Sequence, residues 1–266
     1  DTFEALRRLD VMRGGPSRDP IEQPGPWLRV FRVMLLAGAI QTALGLFQLA
    51  AAAASGSATM DVVWPGVLAA VFTGASLLLG AAVPRDRRVF YLLTAFTLTA
   101  SAFARPLVAA HPPSGPLTLV FRGLYPEAFA QAALWQFAVM FPAVRRFATF
   151  DVITRLAASA ACLLGAALFA ANLLLAYGLL PEGLAIIGRD DPRNLFWQLF
   201  ACAALPALAV IVVRASRAPW MERVKVARFA WSVGAGSAPL LAAGLARSVP
   251  GVDDWLRSAG LRTWLD

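Results

Sequence analysis

Long runs of apolar residues, separated by short polar links, dominate the chain. A helix needs about 20 apolar residues to cross the roughly 30 Å hydrocarbon core of a bilayer. Ala and Leu prevail in these runs, without the alternation of a membrane strand, so helices are expected. The sequence therefore predicts an all-α, polytopic transmembrane bundle with about seven spans: Val33–Ala54, Val62–Val83, Val89–Ala110, Leu124–Val144, Leu156–Leu180, Asn194–Val213 and Ala227–Val249.

The composition excludes a water-soluble globule. Hydrophobic residues make up 59% of the 266 residues and charged residues only 15%, against about a quarter charged in ordinary soluble domains. Two cysteines are too few for a disulfide scaffold, and one histidine excludes a metal site built from several imidazoles. We expect an integral membrane protein that holds no metal or cofactor.

The basic residues predict an orientation. Arginine supplies all but one of the 24 basic side chains, and these cluster beside the apolar runs, which is typical of topology signals rather than of nucleic-acid binding. With seven spans, 17 basic residues fall on the side of the N-terminus and 7 on the other side. The positive-inside rule then predicts a cytoplasmic N-terminus.

The chain divides into three predicted regions. Residues 1–32 form a cytoplasmic segment and linker, residues 33–249 the transmembrane domain, and residues 250–266 an outer interfacial segment. The first segment has apolar residues at helical spacing among arginines, so it is either an amphipathic helix on the inner membrane surface or a frayed tail. Those apolar residues are Phe3, Leu6, Leu9 and Met12.

Small residues at four-residue spacing predict where helices approach closely, because lipid tails provide no hydrophobic drive for association. Two such rows occur, one in the fifth predicted span and one in the seventh: Ala157, Ala161 and Gly165, and Ala230, Gly234 and Ala238. Pro239, near the middle of the seventh span, removes a backbone donor and is either a hinge or the site of a static bend.

Polar residues gather in the third outer link and the helix ends beside it. We predict a tentative outward-facing ligand-binding site there, in which Arg122 and Glu127, five residues apart, form a pair. The alternative is snorkelling of the basic side chains to headgroups together with one surface ion pair. The candidate residues are Arg105, His111, Arg122, Tyr125 and Glu127. No catalytic set accompanies them, and we expect a protein that is not an enzyme.

Two segments carry a resemblance to a known family. Tyr125–Arg146 reads YPEAFAQAALWQFAVMFPAVRR, and Met221–Leu241 reads MERVKVARFAWSVGAGSAPLL. Together they resemble the multi-helix membrane sensor region of bacterial two-component histidine kinases of the competence quorum-sensing type. Similar regions precede some serine-phosphatase signalling modules. The resemblance covers roughly residues 117–249 and implies a membrane sensory or signal-transducing module.

The sequence departs from that family in lacking a phosphoacceptor histidine motif and ATP-binding glycine boxes. Either the chain is incomplete, or the membrane module exists without a kinase. A second hypothesis is an accessory structural subunit of a larger bacterial membrane complex, respiratory or photosynthetic. A small-solute carrier is a third, weakened by the lack of midplane charges. The expected partners are membrane lipids and either other membrane subunits or a homodimer partner, and not nucleic acid.

Overall fold

The computed structural model describes residues 26–82, 86–110, 116–141, 148–190 and 195–216, together with residue 224. These residues are helical, with no strand among them. The α-helices are α1 Pro26–Ala54, α2 Met60–Ala82, α3 Arg87–Ala110, α4 Pro116–Gly123, α5 Ala130–Met140, α6 Ala148–Ala176 and α7 Leu195–Ser216. A first 3-10 helix, Pro126–Phe129, leads into α5, and a second, Glu182–Ile187, precedes α7.

Five of these helices are long and apolar enough to cross a membrane. Their apolar stretches are Trp27–Ala54, Val62–Ala81, Arg87–Ala109, Phe150–Ala176 and Leu195–Arg214. They correspond to α1, α2, α3, α6 and α7, and thus to five of the seven predicted spans. The architecture is that of a multi-pass membrane protein. The seventh predicted span, Ala227–Val249, lies outside the described residues, as do residues 1–25 and 250–266.

The fourth predicted span, Leu124–Val144, differs from the continuous helix that the apolar pattern indicated. The segment consists of the first 3-10 helix and the 11-residue α5. The chain is non-helical at Tyr125, before Pro126, and it becomes extended at Phe141 (φ −129°, ψ 138°), where the next residue is proline. A residue before proline disfavours the helical region, which sets the end of α5. This segment is therefore a short helix enclosed by the longer ones.

Large apolar side chains cover the outside of the bundle, and several polar side chains lie inside it beside the apolar core. Phe47 and Leu78 are 71% and 74% exposed, whereas Thr94, Ser101 and Gln131 are fully buried. A soluble domain with such exposed apolar faces would aggregate, but lipid covers them at no cost. The central element is α3, of whose apolar stretch 61% is buried, against 17% for α2 and for α7.

Close backbone contacts and interhelical hydrogen bonds hold α3 between its neighbours. Gly45 of α1 lies so close to Ala104 of α3 that an added Cβ would be 2.9 Å from the Ala104 carbonyl oxygen. On the other side, the hydroxyls of Ser76 in α2 and Thr97 in α3 are 2.7 Å apart. Small residues permit the close approach, and hydroxyls bridge helices where lipid offers no hydrogen-bond partner.

The small-residue row of α6 faces the enclosed helix. Ala161 is 4% exposed, and Ala157 packs on the same core. A Cβ at Gly165 would lie 2.8 Å from the carbonyl oxygen of Ala128 in the first 3-10 helix. The small side chains of this row lie where α6 packs against the segment that contains α5, and they permit close approach of the backbones. The second row, Ala230, Gly234 and Ala238, and the predicted hinge Pro239 lie outside the described residues.

Asp86 caps the N-terminus of α3. Its Oδ1 accepts a hydrogen bond of 2.8 Å from the backbone N–H of Arg88, and its carbonyl oxygen accepts one from Phe90. The Arg88 guanidinium, 2.8 Å from Oδ2, lowers the pKa of the Asp86 carboxyl. A side-chain acceptor at this position satisfies one of the free N–H groups of the first turn.

We expect Asp86→Ala to lower the free energy of unfolding by about 1 kcal/mol at neutral pH, through loss of the cap. Asp86→Asn, which keeps a side-chain acceptor, is the control. Because the folded-state pKa is lowered, the charge-dependent part of this stabilisation is complete above the unfolded-state pKa of about 4 and disappears as the pH falls through the lowered value. Chemical unfolding of the three proteins in detergent, at neutral and acidic pH, measures this. An Asp86→Ala protein as stable as the wild type would contradict the cap.

Candidate functional site

Arg105 of α3 closes the C-terminal end of α4. Its Nη1 donates hydrogen bonds to the carbonyl oxygens of Leu124 at 2.8 Å and Phe121 at 3.4 Å, and its Nη2 donates to that of Arg122 at 3.1 Å. The last carbonyls of a helix have no partner within it, and a cation there also complements the helix dipole. The guanidinium lies 3.6 Å from the centroid of the Tyr125 ring. One arginine thus fixes the turn that leads into the first 3-10 helix.

A buried ion pair lies directly beyond this turn. Glu127, whose side chain is 1% exposed, places Oε1 2.9 Å from Nε of Arg189, whose side chain is 9% exposed. The contact is an ion pair without hydrogen-bond geometry. Two buried charges are tolerated when they are paired and when their remaining polar atoms are satisfied. The pair therefore joins the first 3-10 helix to the segment after the second one.

Arg189 has further polar partners in three parts of the chain. Its Nη2 donates a 2.7 Å hydrogen bond to the carbonyl oxygen of Ala102 in α3, and its Nη1 donates to Asp190. Its backbone N–H donates to the Asn172 side chain of α6 at 2.8 Å. Since four separate segments meet at this residue, it fixes their relative positions.

The Glu127–Arg189 ion pair lies inside the bundle, some distance from its end. Ala102, which accepts from the Arg189 guanidinium, is eight residues before the end of α3 at Ala110, a distance of about 12 Å along the helix. Charged groups at such depth in a membrane protein face the protein interior and mark functional pathways more often than ordinary packing. The site is thus an internal polar cluster at one end of the bundle.

Gln131 extends this cluster by one helical turn. Its side chain is fully buried, and within the described residues neither its amide oxygen nor its amide nitrogen has a hydrogen-bond partner. The same holds for Oε2 of Glu127. Buried polar atoms without partners are rare and each calls for an explanation. Both side chains thus carry buried polar atoms that no described residue satisfies.

A cavity of about 260 Å³ lies between α1, α3 and α4. We call it the Arg105 pocket. Its lining residues are Gln41, Arg105, Val108, Ala109, Thr118, Phe121 and Arg122. Gln41 is 1% exposed; its Nε2 donates to the Ser101 carbonyl oxygen at 3.4 Å, and its Oε1 has no partner within the described residues. The residues that line the pocket are thus two arginines, one buried glutamine and several apolar side chains.

The structure brings together most of the predicted site residues, in a different pairing. Arg105 stacks on Tyr125, and Arg105 and Arg122 line one pocket. The predicted Arg122–Glu127 pair is wrong, because Glu127 turns inward to Arg189 while Arg122 stays exposed. The remaining predicted residue, His111, lies outside the described residues.

Sequence reasoning missed the role of Arg189. The residue precedes Asp190 and Asp191 in a polar link, where solvation is the ordinary expectation. Gln41, Gln131 and Asn172 give a weak signal, since each is an amide within an apolar run and amides there bridge helices. Nothing in their spacing indicates which partner each one meets.

A second ion pair lies at the opposite end of the bundle. Asp151, in the first turn of α6, pairs with Arg214, in the last turn of α7, and Arg214 also donates to the Val139 carbonyl oxygen near the end of α5. Both side chains are mostly buried. One arginine therefore ties the enclosed helix α5 to α6 and α7 at this end, as Arg105 and Arg189 do at the other.

Comparisons with models of known protein families, with characterised proteins and with solved structures find no match. Within the described part of the chain, no three His, Cys, Asp or Glu residues are grouped to hold a metal ion. The chemistry of the site is therefore that of guanidinium, carboxylate and amide groups, which bind and orient polar or anionic molecules.

Proposed function

We propose that the chain is a membrane sensory module that transmits a signal across the bilayer and has no catalytic site of its own. The observation that carries the proposal is the double role of Arg105, which lines a pocket and also holds the turn before the enclosed helix. The resemblance of two segments to the membrane region of bacterial sensor kinases supports the same class.

The proposal places the module in a bacterial inner membrane with its N-terminus in the cytoplasm. The arginine distribution supports this orientation, with the seventh span over Ala227–Val249. The end that carries Asp151 and Arg214 is then cytoplasmic, and the end that carries Arg105 and Glu127 faces outward. A signal received at the outer end has to reach the inner end through the bundle.

The enclosed segment of the first 3-10 helix and α5 provides a route for the signal. A ligand that attracts the Arg105 guanidinium competes with the carbonyls of Phe121, Arg122 and Leu124 for its N–H groups. Release of those carbonyls frees the turn at Tyr125, so that the first 3-10 helix and α5 can shift. Because Arg214 holds the other end of that segment, its bond to Asp151 responds as well. Two arrangements of such a packed element are the physical basis of a switch.

The experiment that tests this proposal measures a distance at the inner end of the bundle while a substitution changes the outer end. Spin labels are attached at two exposed positions, through Arg155→Cys in α6 and Val213→Cys in α7, with exposed Cys202 replaced by serine. In lipid nanodiscs, Arg105→Gln is expected to shift or broaden the distance between the labels, by about 2 Å or more, the size of helix shifts in known switches.

Arg32→Gln, which removes an exposed arginine of α1, is the matched control and is expected to leave the distance unchanged. An unchanged distance in a folded Arg105→Gln protein would contradict a transmitting module. That result, together with co-purification in a stoichiometric larger complex, would instead support the accessory structural subunit.

A further inference from the structure

We propose that the Arg105 pocket binds the headgroup of an anionic lipid, a phosphodiester that carries a free hydroxyl group. The assignment rests on the proposed function in one respect: it identifies the lipid as the signal that the sensory module receives. The binding itself is argued from the charge, the hydrogen-bonding capacity and the size of the pocket.

Charge gives the first part of the argument. Arg105 and Arg122 line the pocket, and among the described residues no acidic one does. The nearest buried carboxylate, Glu127, pairs with Arg189. The carbonyl groups that accept from Arg105 satisfy its N–H groups but carry no net charge. The guanidinium of Arg122 makes no ion pair or hydrogen bond within the described residues, and it is exposed. A pocket of this kind attracts an anion, and guanidinium forks match phosphate oxygens.

Gln41 gives the second part. Gln41 lines the pocket with a fully buried side chain, and its Oε1 has no partner within the described residues and almost no accessible surface. A phosphate diester has only acceptors and cannot satisfy this atom. A hydroxyl group on the same headgroup can donate to it when the Gln41 amide turns toward the pocket. Leaving a buried acceptor without a partner is costly, so the pocket selects for a headgroup that carries a donor beside its negative charge.

Size and setting give the third part. A volume of about 260 Å³ lies below the roughly 300–1,000 Å³ of pockets that hold whole drug-sized ligands, which fits a headgroup better than an entire lipid. Val108, Ala109 and Phe121 supply an apolar wall. Two of the helices that line the pocket, α1 and α3, are candidate membrane spans. A headgroup can therefore enter the pocket while its acyl chains stay in the surrounding bilayer.

The test is native mass spectrometry of the purified full chain in detergent, with four probes. Phosphatidylglycerol has the phosphodiester and the hydroxyl, phosphatidylethanol has the phosphodiester alone, phosphatidylcholine is zwitterionic, and glycerol phosphate is the soluble headgroup. We expect phosphatidylglycerol to bind most tightly. We expect Arg122→Gln to weaken it at least tenfold, since a charge-assisted hydrogen bond contributes roughly 1.5–3 kcal/mol. Arg32→Gln, outside the pocket, is expected to bind as the wild type does.

Gln41→Leu tests the hydroxyl separately. This variant is expected to bind phosphatidylglycerol and phosphatidylethanol equally, because the acceptor that distinguishes them is gone. Glycerol phosphate that binds as tightly as the lipid would support the phosphate chemistry and identify a soluble source. Equal binding of phosphatidylcholine, or unchanged binding by Arg122→Gln, would overturn the assignment.

The lipid-binding test and the test of the proposed function can fail independently of each other. Selective lipid binding without any change of distance at the inner end upon Arg105→Gln would contradict transmission and leave the lipid site standing. A distance change in a protein that binds all four probes equally would overturn the lipid site and leave transmission standing.

Discussion

Replacing Arg189 by methionine is expected to lower the free energy of unfolding by about 3–5 kcal/mol, because removal of one partner leaves a buried charge uncompensated. Glu127, 1% exposed, has its ion pair with this residue. The substitution also removes the hydrogen bond to the Ala102 carbonyl oxygen. Denaturant titration in mixed micelles, followed by tryptophan fluorescence, measures the change. Arg122→Met is the matched control: it removes an exposed arginine and is expected to change stability by less than about 0.5 kcal/mol.

A second variant distinguishes loss of the charge from loss of packing. In Glu127→Gln/Arg189→Met both charges are absent, so the double variant is expected to recover much of the stability that Arg189→Met loses. If Arg189→Met were as stable as Arg122→Met, the ion pair would have no structural role. If the double variant were no more stable than Arg189→Met, the loss would come from packing alone.

Replacing Gly45 by valine is expected to separate α1 from α3 and to lower the free energy of unfolding by about 1–3 kcal/mol. A Cβ at this position would lie 2.7 Å from the Cβ and 2.9 Å from the carbonyl oxygen of Ala104. These are backbone or backbone-attached atoms, which cannot rotate away as the end of a flexible side chain does. The contact therefore opens only if a whole helix moves.

The matched control for this prediction is Gly74→Val in α2. A Cβ at Gly74 meets nothing within 4 Å, so the same substitution adds a side chain without a clash. Its stability is expected to equal or slightly exceed that of the wild type, because glycine is a poor helix former. The difference between the two variants in the same unfolding experiment isolates the interhelical contact. Equal stability would mean that α1 and α3 tolerate a wider separation.

The long helices were predictable from the sequence because a helix that crosses the bilayer needs a long apolar run. Each of α1, α2, α3, α6 and α7 contains an apolar run long enough to be recognised, and all of them except the central α3 leave most of that run at least partly exposed. The first 3-10 helix and α5 are apolar for another reason, since protein and not lipid surrounds them. Hydropathy does not separate these two environments, and so the fourth span appeared longer and more regular than it is.

The site is predictable only in part, for a related reason. Arg105, Tyr125 and Glu127 were recognised because they gather in one link and the helix ends beside it, and polar residues that enter a membrane span need a partner. Sequence distance favoured Arg122 as the partner of Glu127, whereas Arg189 follows three further helical segments, α5, α6 and the second 3-10 helix. Such a pairing depends on how α3, α6 and the links pack together. That packing has no periodic signal along the chain.

The enclosure of Glu127 has a consequence for biogenesis. Glu127 leaves the ribosome about sixty residues before Arg189, its partner in the finished protein. A charged side chain beside an apolar run opposes release of that run from the translocon into lipid. The short segment around Glu127 is therefore expected to wait beside the translocon until α6, α7 and the link between them have emerged, and to enter the bilayer together with them.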